Sequence, residues 1–247
     1  MIVRRTTALS VLMLAALAGT LVNGLPAQAM QPLTKAPMAV GRGGAASTVD
    51  VDATRVAINV LGHGGNAVDA AVAAAATLGV TEPFSSGLGG GGFFVFYDAR
   101  TGKVHTIDGR EAAPASMEER SFINPATGAP YAFQEARVSA ISVGVPGTPQ
   151  TWQTALRKWG TISLRDALRP AIQVANRGFV VDQTFQQQIS DNRAAFSQFS
   201  STSALYLPGG EPPAVGSTFR NRDLAQTYRL LSRQGMDAFY HGDMAAD

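Results

Sequence analysis

Among the residues able to do chemistry, Arg110 is the most suggestively placed. It closes the run Asp108-Gly109-Arg110, directly after Lys103 to Ile107, where polar and apolar residues alternate as in a half-buried strand. Binding groups often sit on loop ends held by a rigid scaffold. A guanidinium there offers a planar fork of donors that matches a carboxylate through two parallel hydrogen bonds. On spacing alone, a solvated surface arginine is the simpler reading. Upstream, Gly89 to Gly92 lack the lysine and hydroxyl of a phosphate-cradling loop. They fit better as a tight entry to a strand over 93–97, with direct ligand contact as the alternative.

Other chemistries are poorly supplied. With no cysteine in the chain, disulfides, thiolate metal sites and a cysteine nucleophile are excluded from it. The three histidines, His63, His105 and His241, are far apart and match no metal-binding spacing, so neither a metal nor a cofactor is expected. His63 fits a helix end, satisfied by the last carbonyls. No G-x-S-x-G elbow appears. Neither a basic stripe nor a nucleic-acid-binding motif is present, so nucleic acid is not an expected partner. A composition of 45% hydrophobic and 15% charged residues suits a soluble enzyme.

Several elements must position Arg110. Val51, Val56, Ala57, Val60 and Leu61 recur at helical spacing, with Thr48 or Asp50 as the cap and Gly62, Gly64 and Gly65 as the stop. Asn66 is placed to cap a second helix, and Asp69 adds the negative charge favoured in a first turn. Ala70 through Val80 is apolar on every side, as in a helix buried between layers, and Pro83 ends it. The aromatic run Phe93 to Tyr97, the turn Asp98 to Gly102 and the strand from Lys103 to Ile107 make a hairpin. A punctuated connection over 114–134 follows, then an expected strand from Val138 to Val145 and a Gly144-Val145-Pro146-Gly147 turn. Thr148 is expected to cap a helix carrying Trp152, Leu156 and Trp159. Ser163 and Asp166 form a candidate capping box for the next helix, which stops at Gly178. The segment from Asn221 to Gln234 is a further helix, stopped by Gly235. Gly209 to Gly216 is expected to be an exposed loop, and Phe239 to Asp243 to lead into a last helix.

Three motifs in this order resemble one family. They are Gly64-Gly65-Asn66-Ala67-Val68-Asp69-Ala70-Ala71, Gly87-Leu88-Gly89-Gly90-Gly91-Gly92-Phe93 and Asp108-Gly109-Arg110-Glu111-Ala112-Ala113-Pro114. Together, with Gly144 to Gly147 as a further likeness, they resemble the large-subunit segment of the γ-glutamyltranspeptidases. The resemblance implies an α/β (α+β) architecture: the four-layer αββα sandwich of the N-terminal-nucleophile hydrolases, incomplete in a chain that covers the N-terminal part of a large subunit. It implies that Arg110 grips the α-carboxylate of a γ-glutamyl substrate, glutathione being the expected one. It also implies a threonine nucleophile in a T-T-H-like motif, exposed by self-cleavage at the start of a small subunit from the same precursor. No such motif occurs here, so no catalytic residue is assigned in this chain and the fragment is expected to be inactive alone. Two other readings stay open: a glutaryl-type cephalosporin acylase of the same fold, and a non-catalytic exported amino-acid-binding protein.

Residues 1–29 have the pattern of an export signal. Arg4 and Arg5 begin it, Leu9 to Ala18 form its apolar core, and Ala27-Gln28-Ala29 matches the small-x-small cleavage pattern. The core is shorter than the roughly 20 apolar residues that span a bilayer, so a stable membrane anchor is not expected. Removal of the two arginines would bring the formal charge of +2 to near neutral. The expectation is a mature portion over 30–247, starting near Met30 in the periplasm or outside the cell. The last helix begins within about a turn of Asp247, which reads as the truncated end of a longer chain.

Overall fold

The computed structural model describes residues 38–246. The expected export signal therefore lies outside the described residues. Helix α1 spans Val51–Gly62; Asp50 caps it, its carboxylate accepting from the Ala53 amide at 3.0 Å. Thr48, the other candidate cap, instead pairs its hydroxyl with that of Thr54 at 2.7 Å. His63 lies within 2.8 Å of the Asn59 carbonyl through Nδ1, the helix-end role expected of it.

Helix α2, Ala67–Thr81, begins in a reciprocal box. Asn66 Oδ1 accepts from the Val68 and Asp69 amides, and Asp69 accepts from the Asn66 amide. Its alanine-rich body is mostly buried, with Val68, Val72, Ala73, Ala76 and Val80 almost inaccessible to solvent, but it is not enclosed on every side as expected: Ala71 is exposed and Ala75 and Leu78 are half-buried along one face. Its small side chains allow close approach, and α1 and α5 (Leu164–Arg177) pack on it. Strands β1, Gly92–Asp98, and β2, Lys103–Gly109, form an antiparallel hairpin in which Gly92 faces Gly109 and Phe94 faces Ile107. The inner ring of Phe96 lies 5.4 Å from that of Trp159.

After the short helix α3, Phe133–Arg137, the expected strand from Val138 to Val145 does not form. Ala140–Ser142 makes a single 3-10 turn, and Val145 alone bridges to Ala112. The serines account for this. Ser139 donates its hydroxyl to the Ala136 carbonyl at 2.7 Å and Ser142 to the Ser139 carbonyl at 2.9 Å, local bonds that compete with a sheet ladder.

Helix α4, Thr148–Trp159, is not capped by Thr148; Gly147 occupies the cap position and supplies no side chain. α5 is capped by Ser163, but the expected box is only half made: the Ser163 hydroxyl donates to the Asp166 carboxylate, and no bond runs back to the Ser163 amide. Strand β3, Phe179–Val180, pairs with β4, Thr218–Phe219, across helices α6 (Gln183–Asp191), α7 (Arg193–Phe196) and α8 (Ser200–Tyr206). Helix α9, Arg222–Gln234, packs on α5, and the two end at Gly235 and Gly178 with positive φ. Two short helices follow: α11 at Asp243–Ala246 is the expected last helix, and α10 at Asp237–Tyr240 adds a turn of helix within the segment expected only to lead into it.

One core joins α2, α4, α5 and α9 to the ring cluster of Phe179, Phe185 and Phe219. Tyr228, fully buried on α9, donates its hydroxyl to the Ala76 carbonyl at 2.9 Å, fastening α9 to α2. Among the described residues the strands pair only two by two. None of the described helices is long and apolar enough to cross a membrane.

Candidate functional site

The hairpin delivers Arg110 to a place where three backbone segments meet. Immediately after β2, the Arg110 amide donates to Asp108 Oδ1 at 3.1 Å, which turns the chain out of the sheet. Ala112 then exchanges two hydrogen bonds with Val145, at 3.2 and 2.8 Å. From the third side, the Gly90 carbonyl accepts from the Gly147 and Thr148 amides, both at 3.1 Å. The glycine loop, the Arg110 loop and the Gly144–Gly147 turn are therefore tied together through main chain.

Two glycines are needed for that approach. A Cβ on Gly91 would sit 2.5 Å from the Gly109 carbonyl oxygen, and one on Gly147 would overlap the same carbonyl. The glycine run thus serves as the tight strand entry expected of it, and its closeness to the Arg110 loop brings backbone donors and acceptors to the same spot.

Arg110 itself is held at its backbone and free at its head. Its side chain is 72% exposed, and its only ion-pair contact among the described residues is Glu111, 3.4 Å from Nε. A pair this exposed is worth little energetically, so the fork remains able to exchange Glu111 for another carboxylate. Beside it opens a cleft of about 490 Å³, whose walls include Asp108, Gln150, Thr154, Asp237, Tyr240 and His241. Burial pushes the Tyr240 phenol above its ordinary pKa, against the opposing effect of its hydrogen bond from the Gln150 amide.

Sequence reasoning missed Tyr240, Gln150 and His241 as cleft residues. Phe239-Tyr240-His241 was legible only as the lead-in to a helix, and no spacing ties Tyr240 to Arg110, 130 positions earlier in the chain. Nor does the structure bring the three histidines together. Among the described residues, no group of three or more His, Cys, Asp or Glu is placed to hold a metal ion.

Residues 53–247 match the family model described as gamma-glutamyltranspeptidase. The glutathione hydrolase proenzyme of Bacillus subtilis (strain 168) is 41% identical over 206 residues, which cover 83% of this chain and 35% of that protein. The chain thus spans about a third of the length of the curated relatives it matches. The crystal structure of Helicobacter pylori γ-glutamyltranspeptidase superposes with a TM-score of 0.80 at 31% identity, covering 85% of this chain and 60% of that one. A cephalosporin acylase from Bacillus halodurans is more distant: TM-score 0.65, 28% identity, 78% of this chain and 35% of that one. The fold is therefore that of the N-terminal-nucleophile hydrolases to which these neighbours belong.

Proposed function

The chain belongs to the γ-glutamyltranspeptidase family, and on that premise we propose that it forms the substrate-carboxylate-binding part of a glutathione hydrolase. In this reading Arg110 forks onto the α-carboxylate of a γ-glutamyl compound such as glutathione. The observation that carries it is Arg110 itself: its peptide is locked among three loops, while its guanidinium stands exposed beside a cleft. A binding group needs that combination of fixed base and free head.

The nucleophile would come from the small subunit released by self-cleavage of the same precursor. Its threonine hydroxyl would attack the γ-amide carbonyl, with its own terminal amine taking the proton, to give a γ-glutamyl-enzyme and release the amine. Backbone N–H groups would stabilise the oxyanion. Water then completes hydrolysis, or an amino acid completes transfer. The cephalosporin-acylase reading is weaker, because the likeness to the Bacillus halodurans enzyme is lower in both identity and superposition than that to the Helicobacter pylori one. Assay of the full-length precursor on γ-glutamyl and glutaryl anilides tests the choice. Faster turnover of the γ-glutamyl compound is expected, and a preference for the glutaryl one would overturn it. This chain purified without the downstream portion should release no product from either.

Export is part of the same proposal. The charged start, short apolar core and Ala27-Gln28-Ala29 support removal of residues 1–29 and a periplasmic or secreted location. N-terminal sequencing of exported protein should start near Met30; a retained Met1 would contradict it.

A further inference from the structure

The amino end of α4 is capped from outside the helix. Gly147 supplies no capping side chain and Pro149 has no N–H, so the first-turn amides find partners elsewhere. The Thr148 amide donates to the Gly90 carbonyl at 3.1 Å, and the Gln150 amide donates to the Tyr240 hydroxyl at 3.3 Å. The same hydroxyl donates its hydrogen to the Pro146 carbonyl at 2.6 Å. One phenol, 94 residues from Pro146, therefore fastens both sides of the turn that runs from Pro146 into α4. A phenol holds that hydrogen at neutral pH, and burial raises the pKa of this one further.

The fastened turn is the one on which the Arg110 peptide rests. Gly147 lies against the Gly109 carbonyl, with the Arg110 carbonyl oxygen 3.0 Å from where its Cβ would be. The corner carrying Tyr240 is anchored in turn, since the Met236 amide donates to Gln153 Oε1 on α4 at 3.0 Å. Resting on the reading of Arg110 as the carboxylate clamp, we propose that Tyr240 is a positioning residue for it. The Tyr240 hydroxyl, bonded to Pro146 and Gln150, holds the Gly144–Gly147 turn against Gly109 and so fixes the base from which Arg110 reaches substrate. Tyr240 touches no reacting atom; it acts through the turn.

The test compares Tyr240→Phe and Arg110→Ala in the full-length precursor on two substrates. One is a γ-glutamyl anilide; the other is a 4-aminobutyryl anilide, which keeps the amine and lacks the α-carboxylate. Losing the hydroxyl while keeping the ring should lower kcat/KM for the γ-glutamyl compound roughly 3- to 10-fold, the span of one net hydrogen bond. That loss should fall on KM, with kcat within about twofold, because a misplaced clamp weakens binding in ground and transition states alike. The 4-aminobutyryl compound should change less than about twofold, and self-cleavage should match wild type. Equal losses on both substrates, no loss on the γ-glutamyl one, or a precursor that fails to mature would each overturn the inference. If Arg110→Ala also fails to separate the two substrates, the clamp reading falls with it. If Arg110→Ala separates them and Tyr240→Phe does not, only the role of Tyr240 falls.

Discussion

Asp69 and Thr161, 92 residues apart, are joined by two hydrogen bonds: the Thr161 amide donates to Oδ1 at 2.9 Å and its hydroxyl to Oδ2 at 2.5 Å. The Asn66 amide, at 2.8 Å, and the Ile162 amide, at 3.3 Å, complete the set around a side chain with no exposed surface. A carboxylate buried this deeply is tolerated because donors surround it. Alongside it, Asn66 donates through Nδ2 to the Trp159 carbonyl at 2.6 Å. The start of α2 thereby fixes the end of α4, and Trp159 there packs on Phe94, Phe96 and His105 of the hairpin that carries Arg110.

Asp69→Ala should therefore destabilise the protein by about 3 kcal/mol, since it leaves buried amides of two segments without an acceptor. Chemical unfolding of the variant and wild type measures this. A loss below about 0.5 kcal/mol, the usual effect of a surface change, would show that the network is dispensable.

Asp50 yields a prediction in pH. Burial raises its pKa above the ordinary 3.8, outweighing the hydrogen bond from the Ala53 amide. The folded state therefore holds this proton more tightly than the unfolded state does. The resulting stabilisation is complete below the unfolded value and is lost as pH rises through the raised folded value. Asparagine caps a helix as well and carries no charge. Asp50→Asn should thus melt at a higher temperature than wild type at pH 7, with the advantage shrinking towards pH 3. A lower melting temperature for Asp50→Asn at pH 7 would contradict this.

What was legible in the sequence was local. The Asn66 cap and the first-turn charge of Asp69 follow from residue type and position, though the reciprocal bond that completes their box was not read; the hairpin around Asp98 to Gly102 and the helix stops at Gly178 and Gly235 follow from spacing too. Two readings failed because nearby polar groups outbid the pattern. Ser139 and Ser142 bond their own neighbourhood and prevent a strand. Thr148 enters α4 because Gly90 and Tyr240 take its first-turn amides. The pairing of β3 with β4, only two residues each, has no periodic signal, and it depends on the rings of Phe179, Phe185 and Phe219 meeting in the core. At the site, Arg110 was visible through its motif. The Tyr240 contact was not, because it is a long-range bond made by one hydroxyl.

Arg110→Lys separates charge from geometry. Lysine keeps the charge but loses the second parallel hydrogen bond, so it should fall well short of wild type on γ-glutamyl substrates. Activity close to wild type would mean that a point charge suffices there.

The most direct test is Arg110→Ala in the full-length precursor, assayed on γ-glutamyl anilide and on the 4-aminobutyryl analogue that lacks the α-carboxylate. Once bound substrate and the small subunit cover the now-exposed guanidinium, removing one member of the resulting desolvated charge pair costs on the order of 2–5 kcal/mol. kcat/KM for the γ-glutamyl substrate should therefore fall roughly 30-fold to several thousand-fold. The analogue should lose little further, and self-cleavage, which needs no external carboxylate, should proceed. Equal losses on both substrates, or wild-type activity, would contradict the assignment of Arg110 as the clamp.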